Sequence, residues 1–228
     1  MNKTFFYLAV ATIFFVACSK DEPTDNDSNS FVLEATNVNV SVNIASVKAI
    51  INALKPGPND NPYWESYWVN NEITSGKFEN GGFKLIFPKT IPEEYLGSMY
   101  ELFNIFSYEG ITVSDRQVKT GSILIYAYDN AGNYAGNFKL VSDGWYTEFM
   151  YADRSFTEKG KYQSGSESDC TFHKGLNTTY VMWGGNTKST TQKPQNETFK
   201  WILSPPPSVG LQLMETLPTT NTFHNNKK

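Results

Sequence analysis

Short runs of β-branched and aromatic residues, cut at close intervals by turn-forming residues, constrain this chain more than anything else in it. The runs alternate with a period of two and are too short for packed helices, so each is read as a strand. Glu79-Asn80-Gly81-Gly82 separates the run 73–78 from the run 83–87. Asn-Gly between two such runs is the strongest short hairpin signal. The run 122–128 passes through Asp129-Asn130-Ala131-Gly132-Asn133 into 134–141, which predicts a second hairpin. Ser142-Asp143-Gly144 then precedes the run 145–152. Further runs at 38–51, 156–162, 170–173, 178–183 and 198–203 complete the set. The pattern predicts an all-β fold, an antiparallel β-sandwich or barrel of roughly ten strands. Aromatics make up 15% of the chain, with 13 Tyr and 16 Phe, and that enrichment suits strands.

One segment departs from the pattern. Thr90-Ile91-Pro92-Glu93 reads as a capping box with proline in the first turn, and Leu96, Met99, Phe103 and Phe106 follow at helical spacing. A single short α-helix is expected over about 91–104, its apolar stripe facing the core.

The amino terminus carries a different signal. Lys3 precedes an apolar run of 13 residues, Phe5 to Ala17, whereas a membrane-spanning helix needs roughly 20. Val16-Ala17-Cys18 then sets a small residue directly before a cysteine, with Phe15 where leucine is usual. Together these parts resemble a bacterial lipoprotein signal peptide over residues 1–17. The resemblance makes Cys18 the first mature residue and the site of lipidation, and several acyl chains give stable anchoring. Residues 18–30 form an acid-rich, almost wholly polar stretch, read as a flexible tether. Residues 31–207 are read as a single β-rich domain and 208–228 as a mobile C-terminal tail.

Charge and cysteine usage narrow the function. The formal charge is −4, and loss of Lys3 with the signal makes it −5, which argues against a nucleic-acid partner. With Cys18 acylated, Cys170 has no disulfide partner and is read as a small buried hydrophobe. His173 and His224 are the only histidines, and no Gly-x-Ser-x-Gly elbow occurs, so a Ser-His-Asp triad finds no support. One mature thiol and one histidine outside the tail fall short of a zinc set. Asp129, Gly132 and Asn133 lack the remaining acids of a calcium loop and read as a turn. Glu93-Glu94 belongs to the expected helix start, and Asp115, Asp143, Asp153 and Glu158 are scattered beside turns, a weak basis for glycoside hydrolysis. No cofactor is expected.

The remaining candidates are aromatic. Pro62-Tyr63-Trp64-Glu65-Ser66-Tyr67-Trp68 packs four large rings beside a Pro/Gly/Asn loop. Trp145-Tyr146 follows a turn, and Trp183 opens Trp183-Gly184-Gly185-Asn186. Flat rings beside amides and acids are suited to sugars: apolar ring faces stack and polar groups take hydroxyls. Tyr63, Trp64, Tyr67, Trp68, Trp145 and Trp183 are therefore the candidate ligand-binding residues. Core filling is the competing reading for rings in β proteins.

Cys18-Ser19-Lys20-Asp21-Glu22 resembles the acidic export signal that carries Bacteroidetes lipoproteins to the outer face of the outer membrane. Glu79-Asn80-Gly81-Gly82-Phe83-Lys84-Leu85, Pro92-Glu93-Glu94-Tyr95-Leu96, Tyr126-Ala127-Tyr128, Tyr151-Ala152-Asp153-Arg154 and Phe172-His173-Lys174-Gly175-Leu176-Asn177 are similar to stretches in surface lipoproteins of gut Bacteroidetes, a family of unknown function. The resemblance spans most of residues 18–203. It implies an outer-membrane, cell-surface location and a β fold, and assigns no catalytic residue. The expected function is a lipid-anchored, non-catalytic binding or accessory module with a glycan or envelope protein as partner. A structural or assembly subunit of a surface complex is the alternative, and a hydrolase the third reading.

Overall fold

The computed structural model describes residues 31–55, 67–98, 110–184 and 187–206. The signal, Cys18, the tether, the loop 56–66 with Tyr63 and Trp64, and the tail lie outside the described residues.

The fold is all-β. Fourteen strands join in one sheet: β1 Val32–Ala35, β2 Ser46–Lys55, β3 Tyr67–Glu79, β4 Gly82–Ile86, β5 Gly97–Ser98, β6 Ile111–Val113, β7 Lys119–Tyr128, β8 Tyr134–Val141, β9 Trp145–Ala152, β10 Phe156–Lys161, β11 Glu167–Phe172, β12 Gly175–Met182, β13 Lys188–Thr190 and β14 Lys200–Ser204. The order is β1-β4-β3-β2-β7-β8-β9-β12-β13-β11-β10-β6, with β14 on β8 and β5 on β7. This path does not close, so the architecture is sandwich-like rather than a barrel. All pairings are antiparallel except β11 with β13. Asn80 (φ 54°) and Gly81 (φ 69°) form a two-residue loop between paired Glu79 and Gly82. Two successive positive φ angles define the turn that Asn-Gly favours.

β7 is shared between two partners on one edge. Thr120–Ile123 pair with β9, whereas Ile125–Tyr128 pair with β8. β8 and β9 themselves pair only at Val141 and Tyr146, so they splay apart away from that point.

Alternation then decides the two faces of the central strands. Val47, Ala49 and Ile51 of β2 and Ile123, Ile125 and Ala127 of β7 lie on one face. That face packs under β1 and β4 through Leu33, Ala35, Phe83 and Leu85. Phe138 stacks on Phe78 at 5.6 Å and meets Phe83 at 5.0 Å, tying β8 to the β3–β4 hairpin. A second, smaller core forms on the opposite face, where Val118 and Ala152 pack with Phe156, Cys170 and Phe172, and Met150 adds its side chain. The central sheet is thus covered on one face by β1–β4 and on part of the other by β10–β11.

The α-helix expected over about 91–104 does not form in its described part. Glu93–Tyr95 makes one 3-10 turn, Leu96 is extended, and Gly97–Ser98 enters β5 against Thr120 and Lys119. Thr90 caps nothing: the turn starts at Pro92 with no side-chain capping bond. Glu93, instead of reaching back to its own backbone, pairs with Lys119. Ile91 and Leu96 are both buried in the main core. Pairing with β7 therefore overrides the local helical preference. Met99, Phe103 and Phe106 lie outside the described residues.

Candidate functional site

On the face opposite the main core, β3, β2, the second half of β7 and β8 carry a row of side chains that keep solvent contact, Trp68, Asn70, Glu72 and Tyr126 among them, while Ile50 and Leu54 on the same face are buried. Its side chains follow from register. Trp68 pairs with Leu54, Asn70 with Asn52, and Glu72 with Ile50, across a bulge that keeps the even-numbered positions of β3 on this face up to Glu72. On the other side of β2, Lys48 lies opposite Tyr126 and Ser46 opposite Tyr128. Asn137 of β8 lies opposite Tyr126.

These residues touch in a row. Asn52 Nδ2 donates to Asn70 Oδ1 at 2.7 Å. Lys48 Nζ donates to Glu72 Oε2 at 2.7 Å and stands 5.3 Å from the centre of the Tyr128 ring. Tyr134 meets Tyr126 edge-on at 5.3 Å and Tyr128 at 6.2 Å, and its hydroxyl donates to Asn137 Oδ1 at 2.7 Å. The hydrogen bond from Lys48 holds the Glu72 carboxyl below the ordinary carboxylate range and lifts the Lys48 ammonium above its own. The result is a stripe: an exposed indole, an amide pair, an ion pair and a tyrosine cluster. From Leu54 to Lys48 is six residues, roughly 20 Å of strand.

A separate cluster lies across β8. Trp183 sits 4.6 Å from Tyr146 with the rings tilted by 49°, and its backbone N–H donates to Gly144 O at 3.0 Å. Tyr146 and Glu148 are two residues apart on β9 and share a face. Crowding by surrounding protein raises the Glu148 carboxyl, and Lys139 and the Tyr146 hydroxyl partly offset this. The side chain as a whole keeps solvent contact, which moderates the shift.

The aromatic candidates therefore separate. Trp68 (54% exposed) and Trp183 (55%) both stand in solvent on the open face. They are far apart: Thr120 pairs with Ala152, which sets Trp68 near the Ala152 end of β9 and Trp183 beyond its Trp145 end, roughly 25 Å along the strands. Tyr67 and Trp145 point to the other face, as neighbours of Trp68 and Tyr146 in a strand must. Tyr67 is exposed at the strand end and Trp145 half-buried. Tyr63 and Trp64 lie outside the described residues.

Sequence reasoning missed Tyr126, Tyr128, Tyr134, Lys48, Glu72, Lys139 and Glu148. The alternation within Ser122–Tyr128 holds a signal for two of them: Ile123, Ile125 and Ala127 fill one face and leave Leu124, Tyr126 and Tyr128 on the other.

The nucleophile candidates are placed elsewhere. Cys170 is 1% exposed beneath the Phe156–Phe172 stack, and burial pushes its thiol up to about 11, so it is protonated at neutral pH. The backbone of His173 is held by Asn177, whose Oδ1 accepts from His173 N at 2.8 Å and whose Nδ2 donates to His173 O at 2.8 Å, a turn lock. Asp129 Oδ1 accepts from the N–H groups of Ala131 and Asn133, both at 2.8 Å, and closes its hairpin turn. Among the described residues, no group of three or more His, Cys, Asp or Glu could hold a metal ion.

No family model, no curated protein and no solved structure matches this chain.

Proposed function

We propose that this chain is a lipid-anchored, non-catalytic binding module of the bacterial cell envelope, displayed at the outer membrane, and that it holds a glycan along the open stripe from Trp68 to the Tyr126–Tyr128–Tyr134 cluster. The supporting observation is the row along that stripe of one exposed indole, amide and charged groups and a half-buried tyrosine cluster. Rings cover the apolar faces of sugars, and Asn52, Asn70 and the Lys48–Glu72 pair exchange hydrogen bonds with hydroxyls. The Lys48–Glu72 pair carries no net charge, which suits a neutral chain. Cys18 supplies the anchor and residues 18–30 the tether.

The binding half is tested on a glycan array with the purified chain beside its Trp68→Ala and Tyr126→Ala variants. Binding by the parent that both substitutions weaken supports it; silence across the array removes it. For the anchor half, a palmitate analogue should label the parent and not the Cys18→Ala chain. A Cys18→Ala chain that stays in the membrane fraction overturns the anchor.

A second reading, a subunit of a surface assembly, has its own support. Val32 (41% exposed) and Ile86 (55%) lie directly opposite each other on the outer face of the β1–β4 pair, beside Phe31 (39%). Among the described residues β1 also ends the strand path. Exposed apolar groups at a sheet edge suit protein contacts. Co-purification of a stoichiometric envelope partner, lost in Ile86→Glu, would favour this reading.

A further inference from the structure

We propose that Trp183, Tyr146, Glu148 and Lys139 form a second saccharide subsite that takes one ring of a neutral polysaccharide, across β8 from the stripe. It rests on the glycan reading above but uses none of the stripe residues.

The geometry carries the argument. Trp183 is the last ring of the β9–β12 ladder, and Tyr146 supports it from one side at 4.6 Å. More than half of the indole remains in solvent, so a broad apolar surface is available for a pyranose face. The β10–β11 cover reaches Met150 and Ala152, and Glu148 is the next residue of β9 on the same face and is itself exposed, while its β12 neighbours Thr179 and Val181 are buried. Glu148 offers two carboxylate oxygens as acceptors. Lys139 supplies donors on the neighbouring strand β8.

Charge selects the ligand class. One ammonium and one carboxylate leave no net charge, so neither an anionic nor a cationic polymer gains from the site as a whole. Hydroxyl groups, which both donate and accept, satisfy Glu148 and Lys139 together.

Isothermal titration of the full chain carrying Cys18→Ala, against cellohexaose, xylohexaose, mannohexaose and laminarihexaose, tests this. Trp183→Ala and Glu148→Gln, each in that chain, should weaken binding of the recognised hexasaccharide by about tenfold. Glu148→Gln is nearly isosteric, so its effect is not one of misfolding, and circular dichroism checks both variants. Binding within about twofold of the parent in both variants overturns the subsite and leaves the stripe standing. Loss in these two variants with Trp68→Ala and Tyr126→Ala unaffected keeps the subsite and removes the stripe. A parent chain that binds none of the four sugars removes both.

Discussion

Two carboxylates on the open face respond to their surroundings in opposite directions. Glu148 is raised, chiefly because protein crowds it, so its folded value lies above that of the unfolded chain. Its contribution to stability is fully present below the unfolded carboxyl's range and is lost as pH rises through the folded value. Glu72 is lowered by the hydrogen bond from Lys48, so its contribution is present above the unfolded range and lost as pH falls through the folded value. Thermal melts at about pH 7 should therefore show Glu148→Gln above the parent and Glu72→Gln below it. Both differences should shrink as pH falls, the Glu72 difference vanishing only below that carboxyl's lowered folded value. The Glu72 effect should stay under about 1 kcal/mol, because the pair is solvent-exposed and screened. Equal melting of all three chains at neutral pH would contradict the assignment of either shift. Trp68 and Trp183 were visible in the sequence as candidates; Glu148 and Glu72 were not, because Glu148 is perturbed by the protein the fold packs round it and Glu72 by Lys48 on another strand.

At the level of elements, Phe138 joins β8 to the β3–β4 hairpin through two ring contacts and is 4% exposed. Phe138→Ala should cost about 3–5 kcal/mol and lower the melting temperature by roughly 10 °C. A chemical denaturation series giving under about 1 kcal/mol would mean that the core collapses around the gap. The sequence marked β8 and β9 at their observed bounds, 134–141 and 145–152, because alternation runs unbroken between turn residues on either side. It marked the Asn80-Gly81 hairpin for the same reason. It misplaced β2, expected from Val38 and found from Ser46. Val38 and Ile44 are buried without joining a ladder, so their apolar character reads as strand in sequence. The first half of β3 escaped notice because Val69-Asn70-Asn71-Glu72 lies on a solvated sheet and lacks apolar alternation. In its described part, 91–98, the expected helix gave way where β5 found a partner on β7, a contact between residues more than twenty apart in the chain.

On the scale of the whole molecule, one sheet carries covers on opposite faces, and the open face is what they leave. No local signal announces this. It depends on β2 lying between β3 and β7, on β8 and β9 sharing one edge of β7, and on β10–β11 folding back over Met150 and Ala152. Alternation told which residues of a strand face the same way, but not which strands share that surface. The stripe and the Trp183 cluster both belong to this second kind of information. The division of β7 has a kinetic consequence as well. Its one edge is occupied by β2, and the other is handed from β9 to β8 without a gap of more than one residue. Such a strand cannot fray from a margin. In native-state hydrogen exchange the amides of Ile123 to Ala127 should be released only by unfolding of the entire domain, while β1 and β6, each paired on a single side, should exchange through cheaper local openings. The middle of β7 would thus serve as a built-in gauge of global stability, against which the covers can be timed separately.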